Sequence, residues 1–225
     1  RGNSHIGAYR GMQQREQGVR VAALCDVDKK VLDAGVAKLK KLTPDVQGHQ
    51  DIRKMLEDKD LDVVSIATPN HWHALASIWA IQAGKDVYCE KPLTHNVHES
   101  VEVMKAVKRN KRILQTGSMQ RSSREFRIAC ELVRNGLIGD VKRTAVNIGG
   151  PGIPCNLKTE KDEPGLDWDM WVGPGPMRGY SSVLSPRGVH NHFPNWRTYK
   201  EYGGGMWCWW WGWCRCGRNN CVPIA

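Results

Sequence analysis

Between Val19 and Gly117 the sequence alternates short apolar runs with amphipathic stretches, and no other feature constrains the fold as much. A run such as Leu61 to Thr68 suits a strand covered on both faces, and helix-length stretches between such runs give βαβ units around a parallel sheet. Strands are predicted at Val19 to Cys25, Leu61 to Thr68, Val87 to Cys89 and Ile113 to Thr116. Helices are predicted from Lys29 to Leu42, ended by Thr43-Pro44, and from His71 to Ala83, closed by Gly84. Two more are expected from Val97 to Arg109, with Val97, Val101, Met104 and Val107 as apolar residues, and from Ser122 to Asn135. Val141 to Ile148 reads as the start of a regime of strands and long loops, and Pro151 to Pro194, rich in Gly, Pro and Trp, as irregular structure.

The expected class is therefore α/β, with two partial domains. Residues 1–117 read as a Rossmann-type parallel sheet, and residues 118–206 as an incomplete α/β (α+β) domain for substrate binding and oligomerisation. Arg1 opens directly on a helical pattern, so the sheet is expected to lack its first strand, an exposed gap that would make NAD binding by this chain weak or absent. Residues 207–225 stand apart. Five of the ten tryptophans fall between Trp207 and Trp213 without a helical or alternating period. They read either as an aromatic platform for sugars or membranes, or as a non-native tail from a shifted frame or sequence error, which the missing period favours.

Net charge is +10, but the basic residues are interspersed with acids, as along Lys105 to Arg112 and from Lys38 to Asp45. A solvated helix face explains such runs better than a nucleic-acid stripe, so no nucleic-acid partner is expected. No run approaches the roughly 20 apolar residues that span a bilayer, and no signal peptide is visible. Cys25, Cys89, Cys130 and Cys155 are isolated, the first two in predicted buried strands, which fits a reducing compartment and a cytoplasmic location. Export stays open if a signal lies upstream of Arg1. Cys208, Cys214, Cys216 and Cys221 lack the paired spacing of zinc knuckles, and no metal site is expected.

The candidate chemistry lies at predicted strand ends. Glu90-Lys91-Pro92 follows a strand directly, where ligands collect in open α/β sheets, so Lys91 is the leading catalytic candidate; the alternative is a surface ion pair with Glu90. Gly2 begins the first helix, where backbone N–H groups could meet a pyrophosphate, and Asp26 ends a strand 24 positions later, where an acid takes a ribose hydroxyl. Gly2 could equally be a turn residue, and Asp26 a helix cap. Asn70 is either an N-cap or a cofactor contact. His71 and His73, about 200° apart on a regular helix, cannot chelate one metal there, and His190-Asn191-His192 lacks the surrounding ligands of a nuclease site.

Taken together, Gly2, Asp26, Thr68 to His73 and Glu90-Lys91-Pro92 resemble the Gfo/Idh/MocA family of NAD(P)-dependent sugar and inositol oxidoreductases, and the resemblance extends to about Met206. It implies that Gly2, Asn3 and His5 end a Gly-x-Gly-x-x-Gly-x-x-His fingerprint, and that Asp26, Thr68, Pro69, Asn70, His73, Glu90 and Lys91 contact the cofactor. It also implies catalysis by Lys91 on a sugar-like substrate held by Lys91, Gln120, Arg121, Trp168 and Arg197, and a homo-oligomeric parent. Gly165 to Asp169, Trp171 to Pro174 and Gly203-Gly204-Gly205 look like the family's second domain. The cofactor expected is NAD, because the Asp26 carboxylate would repel a 2′-phosphate, with NADP left open. Where relatives carry Asp-x-Gly-x-His this chain has Trp209, Trp211 and Trp213, so the chain itself is expected to be inactive. Two other functions stay open: a glycoside hydrolase that uses bound NAD, and a non-catalytic NAD-binding or regulatory protein.

Overall fold

A computed structural model describes residues 2–145, 149–185 and 195–205. The Trp- and Cys-rich tail, His190-Asn191-His192, Met206 and Arg1 lie outside the described residues. Helix α1 (Gly2–Gln14) leads into strand β1 (Ala23–Cys25), and α2 (Lys29–Leu39) crosses to β2 (Gln47–His49), parallel to β1 with Leu24 opposite Gly48. Then follow α3 (Ile52–Leu56), β3 (Val63–Ile66), α4 (His73–Gln82), β4 (Asp86–Glu90), α5 (Val97–Asn110) and β5 (Leu114–Gly117). β3, β4 and β5 form a parallel sheet in that order, with Ser65 opposite Tyr88 and Glu90 opposite Gly117. Short polar residues start the helices where the strand-to-helix turns leave N–H groups open: Asp28 accepts from Lys30 and Val31, Asp51 from Arg53, and Asn96 from Glu99.

The parallel strands thus fall into two sheets, β1-β2 and β3-β4-β5, joined by Ala23 and α3 in the shared core and by side chains of α1. Near its C-terminus Gln13 accepts a hydrogen bond from Val21 N–H and donates to Thr43 Oγ1, on the β1-β2 side. Near its N-terminus His5 meets Ser65 of β3 and Glu90 of β4. The main core lies between β3-β4 and the helices, where Val64, Ile66, Val87 and Cys89 pack with Ala76, Ala80, Ile81 and Ala106. Burying these side chains stabilises the layer by about 25 cal/mol per Å² of apolar surface.

Several predicted boundaries shift. β1 begins at Ala23 rather than Val19, because its partner β2 is only as long as Gln47–His49. Cys25 is exposed rather than buried, while Cys89 is fully buried, and burial pushes its thiol up to about 12. On α5, Val103 and Ala106 are buried and the expected Val107 packs against the core, while Val97 is 80 % and Met104 49 % exposed. Ala106 is small enough to let α5 pack closely against α4. Residues 141–145 are not strand.

Beyond β5 a 3₁₀ turn (Met119–Ser122) precedes α6 (Arg124–Arg134), and α7 (Trp168–Val172) is capped by Asp167, which accepts from Met170 N–H. Apart from α7 and a 3₁₀ turn (Asn195–Thr198), residues 151–185 and 195–205 are loops, held by isolated bridges, Asp28 to Leu166, Pro151 to Gly205 and Ile153 to Tyr199. Their own core is largely aromatic: Trp171, Val172, Leu184, Trp196 and Tyr202, with Trp168 stacked on Trp171 at 4.7 Å and 9°. This core docks on the sheet domain through Trp72, whose Nε1–H donates to the Trp171 carbonyl at 3.1 Å.

Gly173 makes that docking possible. It sits at φ +49°, and a Cβ there would lie 2.2 Å from ring carbons of Trp72. Gly173→Ala is expected to destabilise the chain by about 2–4 kcal/mol in urea titration, from overpacking plus a disfavoured backbone. Gly150→Ala, where a Cβ meets nothing within 4 Å, should stay within about 0.5 kcal/mol.

Candidate active site

The candidate residues gather at the carboxyl edge of β3-β4-β5. Lys91 directly follows β4 and is 7 % exposed, as is Glu90, and the Lys91-Pro92 peptide is cis. A surface ion pair is therefore excluded as the reading of Lys91. The Glu90 carboxylate accepts from His5 Nε2–H at 3.1 Å, and His5 Nδ1 lies 2.8 Å from Ser65 Oγ. Since Ser65 and Glu90 lie toward the ends of their strands, these bonds place the start of α1 at the same edge.

The turn after β3 supplies a second row of buried polar groups. Asn70 does not cap a helix. Its amide donates to the Gly203 carbonyl at 2.9 Å, tying the turn to the triple glycine. His71 Nε2–H donates to the Trp171 carbonyl at 3.0 Å and its Nδ1 lies 3.4 Å from the Tyr202 carbonyl; burial holds its pKa down at about 4. His73 Nδ1–H donates to the Pro92 carbonyl at 2.6 Å, and its Nε2 lies 3.0 Å from the Thr68 carbonyl. Burial also lowers the His73 pKa, with Glu90 opposing and Arg197 adding to the shift. His73 thereby ties the Thr68-Pro69 turn to the loop after Lys91. Both imidazoles are occupied by carbonyls, and among the described residues no three His, Cys, Asp or Glu side chains gather to hold a metal ion.

Asp26 follows β1, its N–H donating to the His49 carbonyl and its Oδ1 accepting from Asp28 N–H at 2.9 Å. The helix cap is Asp28, not Asp26. Gln120 and Arg121 lie on the 3₁₀ turn after β5, on the same edge as Lys91. Arg197 stacks over Trp196 at 4.3 Å, and a Cβ on Gly203 would fall 2.3 Å from the Arg197 Cα, so only glycine lets that strap approach. Trp168 is used differently: its Nε1–H donates to the Arg178 carbonyl at 2.7 Å and its ring stacks in the loop core.

A dinucleotide fits this edge on two observations. A Cβ at Gly2 would meet nothing within 4 Å, so space lies open beside the first turn of α1, and Asp26 sets a carboxylate beyond the end of β1. Helix N–H groups suit a pyrophosphate and the acid suits ribose hydroxyls. Sequence reasoning missed the joining roles of Asn70 and His71 and the partner of His5; a His-Trp-His run on an apolar stretch is the one signal that such buried donors exist.

The fold and edge define a dinucleotide-binding α/β domain. The chain belongs to the Gfo/Idh/MocA family: residues 2–118 match the oxidoreductase family with an NAD-binding Rossmann fold. It is 32 % identical over 139 residues to an inositol 2-dehydrogenase of Salmonella typhimurium, covering 61 % of this chain and 40 % of that protein. To an alpha-N-acetylgalactosaminidase of Shewanella oneidensis it is 30 % identical over 146 residues, covering 63 % of this chain and 31 % of that protein. Among solved structures it resembles an NAD binding oxidoreductase of Klebsiella pneumoniae, with a TM-score of 0.50 and 30 % identity over 67 % of this chain and 38 % of that one. A WlbA dehydrogenase of Chromobacterium violaceum, solved with NADH and UDP-GlcNAcA, gives a TM-score of 0.50 and 25 % identity over 60 % and 37 %. The chain thus spans 40 % or less of the length of these relatives. No helix among the described residues is long and apolar enough to cross a membrane.

The buried histidines make stability acid-sensitive. The folded pKa of His71 lies below its unfolded value of 6.5, at about 4, so the unfolded chain binds more protons between these values and stability falls as pH drops from 6.5 toward 4. The loss should be on the order of 3 kcal/mol, read by urea titration at stepped pH. His71→Gln, which donates without titrating, should flatten that slope.

Proposed function

We propose that the full-length protein is an NAD-dependent oxidoreductase that moves a hydride between the nicotinamide and a hydroxyl-bearing carbon of a sugar, inositol or related polyol. The observation that carries this reading is Lys91, buried at the end of β4 on the edge that α1 and Asp26 share. In it, Asp26 accepts from ribose hydroxyls, the first turn of α1 with Gly2 and Asn3 donates N–H groups to the pyrophosphate, and Thr68, Pro69 and Asn70 line the edge between. The cofactor supplies the hydride chemistry. Lys91 Nζ holds the substrate oxygen and shares its proton, and Gln120, Arg121 and Arg197 reach the other hydroxyls.

Residues 1–117 form the cofactor domain in this reading, and 118–206 begin the substrate domain. The separate thiols of Cys25, Cys89 and Cys155 suit a reducing cytoplasm. One observation favours a second reading, NAD-assisted glycoside hydrolysis: the similarity to an alpha-N-acetylgalactosaminidase at nearly the same coverage as to the inositol enzyme.

Both readings are tested on the full-length protein. Incubation with NAD and inositols or sugars should accumulate NADH, whereas release of a chromogenic glycoside's aglycone without net NADH selects the hydrolase. Lys91→Met should lower kcat by roughly 10²–10⁴-fold with little change in NAD affinity. Asp26→Ala should weaken NAD binding by roughly 10-fold or more, the scale of a hydrogen bond to a charged group. Full turnover by Lys91→Met would remove the reading.

A further inference from the structure

The family fingerprint makes His5 a cofactor contact, but the structure engages both its ring nitrogens inside the protein. Nδ1 lies 2.8 Å from Ser65 Oγ, Nε2 lies 3.1 Å from Glu90 Oε1, and the ring stands edge-on to Tyr88 at 5.4 Å. A neutral imidazole has one donor and one acceptor. The arrangement that satisfies all three side chains has Ser65 O–H donating to Nδ1 and Nε2–H donating to the carboxylate. A chain of hydrogen bonds then runs from β3 through α1 to β4, and it ends on the residue beside Lys91. We propose that His5 is a positioning residue, which keeps Glu90 ionised and in place so that Lys91 has a fixed counter-charge while it handles the substrate proton. This rests on the reading of Lys91 given above.

Strand pairing explains why such a group is needed. The ladder to β5 fixes the backbone of Glu90, yet it leaves the carboxylate position open. At 7 % exposure that carboxylate depends on protein donors to stay charged. The titratable and charged groups around it are His5 from α1, His73 from α4, Cys89 and Lys91 beside it in the chain, and Arg197, whose charge reaches His73 from the 195–198 turn. His73 is held neutral by burial and has given its nitrogens to carbonyls. His5 is the donor that comes from the helix whose first turn faces the cofactor space, so seating α1 and setting Glu90 are one event. Removing its N–H disfavours the ionised carboxylate, which raises the Glu90 pKa and moves any activity that needs the anion to higher pH.

The test uses full-length His5→Phe, His5→Gln, Ser65→Ala and Glu90→Gln. His5→Phe should lower kcat on the order of tenfold, leave NAD affinity within about twofold, and move the acid limb of kcat up by about one pH unit, the scale of one lost charge-assisted bond. His5→Gln, which still donates to Glu90, should recover most of the loss and the wild-type limb. In the Glu90→Gln background His5→Phe should add little further loss. Carbon NMR of the Glu90 side-chain carboxyl, titrated without substrate, should show the same upward move, and Ser65→Ala a smaller one if His5→Phe does not fold. An unchanged Glu90 titration would overturn the proposal. So would a tenfold loss of NAD affinity with kcat and its acid limb unchanged, which would return His5 to the cofactor. Absence of turnover in the wild-type protein would instead overturn the oxidoreductase reading, and the NMR comparison would still decide the His5–Glu90 link.

Discussion

Everything around the candidate site depends on the donors of Asn70 to His73. This turn follows β3, and it sends Asn70 to Gly203, His71 and Trp72 to Trp171, the His71 N–H to Tyr202, and His73 to Pro92. The acceptors are carbonyls of loops and of the last turn of α7, which lack intrahelical or ladder donors, and burying each without a donor would cost roughly 1–3 kcal/mol. Loops normally stay on the surface for that reason. Here four consecutive residues supply the missing donors from one place, so these carbonyls can be buried against the turn after β3, and Gly203 is held at Asn70.

The division into two sheets has a related consequence. β1 and β3 are each hydrogen-bonded on one side; Ala23 and α3 join the two sheets through the core, and α1 adds Gln13 at one end and His5 at the other. Side-chain bonds from a single helix hold less firmly than a backbone ladder, since each is worth only about 1 kcal/mol net. The geometry of the site is thus sensitive to how α1 is seated, and the cofactor space lies beside the first turn of that helix. In the proposed reading, occupation of that space and the seating of α1 favour one another.

Much of this was legible in the chain. The alternation of apolar runs and helical stretches located most elements, and the position of Glu90-Lys91-Pro92 after an apolar strand located the lysine. β2 was not legible because Gln47-Gly48-His49 carries no apolar signal; parallel pairing to β1 makes it a strand. Of the apolar residues named on α5, Val107 packs against the core whereas Val97 and Met104 stay exposed, and close packing buries Val103 and the small Ala106 instead. Asn70 looked like a cap since local pattern cannot show an acceptor 133 residues away. Roles that depend on distant backbone carbonyls leave no local trace, and His5, Asn70 and His71 all belong to that group.

Burial also changes what the lysine means. An exposed Lys-Glu pair would contribute at most about 1 kcal/mol and could be lost without effect. Two adjacent charges at 7 % exposure carry a desolvation cost that their attraction does not reliably offset. The surroundings bear on that cost: His5 donates to Glu90, while His73 is held neutral and adds no charge. Arg197 acts on His73 as well, and the positive end of the α1 dipole points to the same edge. In the proposed reading, the cofactor pyrophosphate is the anion that this dipole end receives, so the ligand meets the buried lysine from the side where the helix N–H groups are open.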